Sequence, residues 1–106
     1  MLNEEPNFIT QKSITADTVV LEGNKAEVKE KIVFIRAADP GYDFLFTKNI
    51  SGLVTQFGGA NSHMAIRCAE MGIPAVIGAG EKNYAEWSHY GRLSLDCQRK
   101  QVIGIR

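Results

Sequence analysis

Gly58-Gly59-Ala60-Asn61-Ser62-His63-Met64-Ala65-Ile66-Arg67, continued by Ala69-Glu70-Met71-Gly72-Ile73-Pro74-Ala75-Val76-Ile77-Gly78, is the stretch whose reading decides the fold class of this 106-residue chain. The paired glycines break the chain, and Ser62 is suited to cap a helix that runs to Met71 and stops at Gly72 and Pro74. Ala75-Val76-Ile77 returns at once as a strand. Upstream, Ile50 to Thr55 favours a strand as well, so the unit reads strand, glycine loop, helix, strand, which is a building block of α/β or α+β domains.

Working outward, Ile32-Val33-Phe34-Ile35 is a continuous apolar run suited to a strand buried on both faces, ending at Ala38-Asp39-Pro40-Gly41. Asp39 is placed to cap, and Pro40 to start, a short helix in which Tyr42, Leu45 and Phe46 recur at helical spacing through Thr47. Thr10 to Leu21 holds one or two strands and leads to a turn at Gly23-Asn24, after which Lys25 to Lys31 reads as a charged surface connection. Beyond Gly80, a helical turn packing Trp87 is expected within Glu81 to Tyr90, and Leu93 to Cys97 and Val102 to Ile105 read as closing strands. Residues 1–106 are expected to form one domain.

The balance of 12 lysines and arginines against 12 aspartates and glutamates, scattered along the chain, argues against a nucleic-acid partner. No apolar run approaches the roughly 20 residues needed to cross a bilayer, and no signal core follows Met1, so no membrane association and a cytoplasmic location are expected. Cys68 falls in the predicted helix among apolar residues and reads as core. Two cysteines also permit a bridge between Cys68 and Cys97, with reduced, structural thiols the favoured reading.

His63 stands where this pattern concentrates its chemistry. A helix N-terminus presents unpaired N–H groups and a partial positive charge to an anion, and Gly58 and Gly59 allow a phosphate-sized group to approach the backbone closely. Neutral imidazole is a competent nucleophile, and Arg67, one helical turn on, is placed to reach phosphate oxygens with Glu70 orienting its guanidinium. Met64, Ala65, Cys68 and Ala69 would form the opposite, buried stripe. From the residues alone a bland reading also stands, with His63 a surface or capping residue and Arg67 and Glu70 a solvated pair contributing about 0.3–0.5 kcal/mol.

Other signals carry less. Asp39 is explained by its cap without any chemistry, although it also suits the border of a partner's site. Gly78-x-Gly80 lacks the third glycine of a dinucleotide fingerprint, since Asn83 stands there, and reads as a turn. Ser62 and His63 point roughly 100° apart on a helix, which disfavours a hydrolytic nucleophile and base pair. His89, beside Trp87 and Tyr90, has no metal-ligand spacing around it and reads as packing, so no metal site is expected.

The string from Gly58 to Gly78 resembles the mobile phosphohistidine domain of the phosphoenolpyruvate-utilising enzymes. These include pyruvate phosphate dikinase, phosphoenolpyruvate synthase, enzyme I of the sugar phosphotransferase system, rifampicin phosphotransferase and glutamine kinase. The matching elements are the paired glycines, Ser62-His63-x-Ala65-Ile66 and Gly72-Ile73-Pro74-Ala75-Val76, with similarity extending to Ile50-Ser51-Gly52-Leu53-Val54-Thr55 and Asp39-Pro40-Gly41-Tyr42. The resemblance implies the α/β swivelling β/β/α fold, a single compact layer structure with short strands and two or three helices. It also implies that His63 accepts a phosphoryl group, with Gly58, Gly59, Ser62 and Arg67 as the expected phosphate support. Plant-type dikinases carry a regulatory threonine two positions before this histidine. Asn61 stands there in this chain, so control by threonine phosphorylation at that spot is not expected.

The activity implied is a two-step phosphotransfer. His63 attacks phosphoenolpyruvate or the β-phosphate of ATP, and the phosphohistidine then delivers its group at another active site. No cofactor is expected on this domain; Mg²⁺ and ATP or phosphoenolpyruvate belong to an ATP-grasp-type nucleotide-binding domain and a phosphoenolpyruvate-binding domain acting in cis or in trans. The chain is therefore expected to be a fragment of a larger multidomain enzyme, at its C-terminal end, or a free carrier. The competing class is a non-catalytic anion-binding or regulatory module that keeps the fold.

Overall fold

A computed structural model describes residues 5–22 and 26–105. Its centre is the apolar run near residue 32, which becomes β3 (Ile32–Ala37), flanked in parallel by β2 (Ser13–Val20) and β4 (Gly52–Phe57). Ile32 to Ile35 are wholly buried, as a strand covered on both faces must be. Next to β4 runs β5 (Ala75–Ile77), also parallel, and β1 (Asn7–Ile9) closes that edge antiparallel. At the other end, β6 (Arg92–Asp96) and β7 (Gln101–Ile105) continue the sheet antiparallel, giving the order β1-β5-β4-β3-β2-β6-β7.

The strand β2 serves two partners in succession. Ser13 to Asp17 pair with β6, whereas Thr18 to Val20 pair with β3, so the sheet changes partner along one strand and curls. The β6 residues Leu93 and Leu95 consequently share a buried cluster with Ile32, Phe34, Val54 and Val76. The helix α2 (Glu81–Ser88) closes that side, with Tyr84 set edge-on to Phe34 at 5.5 Å between ring centres and Trp87 packed against the cluster.

Alternation along β3 sends Val33 and Ile35 to the opposite face, where they meet α1 (His63–Met71) through Met64, Ala65 and Cys68. Leu45 and Phe46, from a 3₁₀ helix spanning Pro40–Thr47, fill the same cluster. Each apolar residue of the central strand thus has a designated side. The fold class is α/β.

Several sequence expectations are met at the level of single residues. Asp39 caps the Pro40 segment, its Oδ1 accepting from the Gly41 N–H at 2.8 Å. The segment winds as a 3₁₀ helix, a tighter coil suited to short pieces. Ser62 caps α1, and Gly72 ends it in the left-handed region at φ 69°. Cys68 and Cys97 are free and buried, with burial as the chief cause of thiol pKa values pushed up to about 12 and about 11 respectively.

Two expectations need correcting. Ala69 is exposed and not part of the buried stripe, because it lies roughly 90° around the helix from the centre of the Met64, Ala65 and Cys68 face. The connection before β3 is not wholly at the surface, since Val28 is buried in the main core. The Gly23-Asn24 turn and Lys25 lie outside the described residues.

Candidate functional site

Two loops leave the carboxyl ends of the adjacent parallel strands β3 and β4, the edge at which ligands collect in open α/β sheets. The β3 loop leads into the 3₁₀ helix, and the β4 loop carries Gly58, Gly59 and Ser62 into α1. His63 is the first residue of α1 and retains 44% of its side-chain exposure. It is held at the helix mouth and half open to solvent.

The glycine loop is fixed from below by Thr55, a buried residue of β4. Its Oγ1 donates to the Phe57 carbonyl and accepts from the Gly78 N–H, each at 2.9 Å, while the Ala79 N–H donates to its carbonyl at 2.8 Å. One hydroxyl therefore ties the start of the loop to the end of β5. Thr55→Val keeps the shape but leaves the half-buried Gly78 N–H without its partner, and is expected to cost about 1–3 kcal/mol in denaturant unfolding.

Gly58 has φ +135°, and a Cβ there would lie 2.7 Å from the Ala38 Cβ. Gly59 has nothing within 4 Å of an added Cβ, so space lies open beside the loop. An open cleft is lined there by Glu5, Asn7, Gly58, Gly59, Ala60 and Gly78.

Ser62 contributes through the backbone. Its Oγ accepts from the Ala65 N–H at 3.3 Å, satisfying one of the amide donors at the start of α1. Ser62→Ala is expected to lower stability by about 1 kcal/mol, read as a shift in the urea midpoint at unchanged slope.

The structure adds a residue that the sequence did not single out. Asp43, in the first turn of the 3₁₀ helix, places Oδ1 2.7 Å from His63 Nε2 and 3.3 Å from Arg67 Nε. The His63 hydrogen bond is the main cause holding the Asp43 carboxyl below the usual range; partial desolvation opposes it and Arg67 reinforces it. An ionised carboxylate only accepts, so Nε2 carries the proton in this contact.

Arg67 also lies over the Phe46 ring, 5.2 Å from its centre, which steadies the guanidinium. Its contact with Glu70 is longer, at 3.7 Å, so Asp43 is the nearer of the two carboxylates. His63, Ser62 and Arg67 stand together at the start of α1. The clue to Asp43 was the Asp39 cap and Pro40 start, which put it in the first turn of a helix whose buried residues are Leu45 and Phe46.

Residues 27–100 match the model of the family described as PEP-utilising enzyme, mobile domain. Rifampicin phosphotransferase of Bacillus cereus is 39% identical over 87 residues, covering 81% of this chain and 9% of the relative. The enzyme of the same name from Bacillus subtilis is 36% identical over the same length. Phosphoenolpyruvate synthase of Aeropyrum pernix is 37% identical over 62 residues, 58% of this chain and 7% of the relative. The chain thus spans less than a tenth of the length of these relatives. A solution NMR structure of a UPF0107 protein superposes with a TM-score of 0.69 at 14% identity, covering 97% of this chain and 98% of that one, a likeness of fold.

Proposed function

The chain belongs to the family of PEP-utilising enzyme mobile domains, and from that premise we propose that it is a phosphoryl carrier, loaded and unloaded on His63. The observation that carries this reading is the position of His63: first residue of a capped helix, at the carboxyl edge of parallel strands, half exposed, with Arg67 one turn away sharing its Asp43 contact. Such a helix mouth favours the dianionic product.

In the loading step an imidazole lone pair forms the N–P bond as the donor's P–O bond breaks. The ring proton passes to water. The donor is phosphoenolpyruvate, which departs as the enolate of pyruvate, or the β-phosphate of ATP, where attack expels AMP and the γ-phosphate is then split off to water, and unloading reverses the N–P bond change onto an acceptor held elsewhere. Gly59 leaves open space beside the loop, Gly58 lets the backbone take the positive φ that packs it against Ala38, Ser62 keeps the helix mouth formed, and Arg67 neutralises charge on the phosphoryl oxygens. The fold is read as the swivelling β/β/α domain, which turns between the two active sites.

Those sites belong to partner domains of the ATP-grasp and phosphoenolpyruvate-binding types, in the same polypeptide or another, in the cytoplasm. Mg²⁺ and nucleotide are assigned to them. Among the described residues no three of His, Cys, Asp and Glu gather as a metal site requires, and no helix is long and apolar enough to cross a membrane. The competing reading is a non-catalytic anion-binding or regulatory module that keeps the fold. The test is mass spectrometry at alkaline pH, which preserves phosphohistidine, after incubation with each donor and partner domain.

A further inference from the structure

One carboxylate oxygen, Asp43 Oδ1, touches both His63 Nε2 at 2.7 Å and Arg67 Nε at 3.3 Å. A phosphoryl group bonded to Nε2 would project its oxygens into this same space, because Nε2 is the ring nitrogen that faces Arg67 through the shared oxygen. We propose, resting on the carrier reading, that Asp43 stands in the unloaded domain where the phosphoryl group sits in the loaded one, so that Arg67 is handed from carboxylate to phosphoryl oxygen as His63 is loaded. Asp43 is a positioning residue and a competitor at once.

The argument rests on charge and anchorage. With Asp43 Oδ1 2.7 Å from Nε2, a dianionic phosphoryl group bonded to that nitrogen and the carboxylate would occupy one space and repel at contact distance, so the carboxylate must leave. The backbone of Asp43 is fixed by Leu45 and Phe46 in the core and by the Asp39 cap, but its side chain keeps 45% exposure and can turn into water without unfolding the segment. Arg67 stays behind, held over Phe46.

The proton must move as well. The contact puts a proton on Nε2, and in the neutral ring this leaves the lone pair on Nδ1, which is the wrong tautomer for attack through Nε2. Before loading, Nε2–H gives its proton to water and Nδ1 takes one up. The Nε2 pair then forms the N–P bond as the donor's leaving group departs with the electrons of the bond that breaks, and the Nδ1 proton is released. Removing Asp43 eases both changes.

The test uses the whole chain and phosphoramidate as a chemical donor, whose P–N bond breaks with loss of ammonia, so no partner domain is needed. Labelling of His63 is expected to run about two- to fivefold faster in Asp43→Asn and Asp43→Ala than in the wild type, the range for one half-exposed charged contact. Asp17→Asn, which removes the same charge from the distant Arg92 pair, is expected to leave the rate unchanged. In ¹⁵N NMR the unloaded wild type shows the proton on Nε2, Asp43→Ala shifts it toward Nδ1, and the label couples to Nε2. Equal rates in wild type and both Asp43 variants, or a label on Nδ1 with the resting tautomer retained, overturns the proposal alone. No label on His63 in any form, with phosphoramidate or with any donor and partner domain, overturns the carrier reading beneath it.

Discussion

Gly78→Ala is expected to destabilise the domain by about 2–4 kcal/mol, more than any other single change at the glycine loop, by combining left-handed backbone strain with a steric clash. Gly78 has φ +73°, and its added Cβ would run into the carbonyl oxygen of Gly58. Neither cost is easily relaxed, because the Gly78 N–H is held by Thr55 Oγ1 and the Ala79 N–H by the Thr55 carbonyl. For a domain of this size the midpoint of thermal unfolding should fall by about 10–20 °C.

Two companions separate the causes. Gly78→Asn tolerates the positive φ better but keeps the clash, so it should remain strongly destabilised. Gly59→Ala meets nothing within 4 Å and should stay within about 0.5 kcal/mol of the wild type. A loss below about 1 kcal/mol for Gly78→Ala would show that the two loops are not packed against each other as the structure has them.

This contact also marks where sequence reading stops. The strand Ile32 to Ile35, the Ser62 cap and the Gly72 stop were legible because each is a local matter of hydrophobic run, hydroxyl placement or glycine at a helix end. The order of the sheet was not. It depends on β2 giving up β3 part-way along its length to pair with β6 and on β1 lying against β5, and these last two pairings join residues about 70 or more apart, for which no local pattern is diagnostic. Thr55 read as one residue of a strand, because the Gly78 N–H that its hydroxyl holds is 23 residues away.

The candidate site divides the same way. His63, Ser62 and Arg67 lie on one helix and follow from its periodicity. Asp43 comes from the loop of the preceding strand, β3, and its approach to His63 across 20 residues exists only once β3 and β4 are paired in parallel. Ala69 shows the complementary error: helical spacing alone admits it to the buried stripe, but the sheet covers only the centre of that stripe.

His63→Ala is expected to abolish phosphoryl labelling while leaving the fold intact, the largest functional change available in this chain. The side chain is half exposed and belongs to neither core cluster, and alanine is a strong helix former, so stability should change by no more than about 0.5 kcal/mol. Chemistry should not survive, because no neighbouring group can replace the imidazole. Asp43 is held as a low-pKa carboxylate by its contacts, Arg67 is a permanent cation, and both thiols are buried and protonated. The measurement is intact-mass and peptide mass spectrometry at alkaline pH after incubation with phosphoenolpyruvate or ATP and the partner domains. Wild type should carry one acid-labile phosphoryl group on the peptide containing His63, and the variant none. Label persisting in a folded His63→Ala would move the acceptor to another residue and end the carrier reading of this helix mouth; absence of label in the wild type with every competent partner would favour the anion-binding module instead.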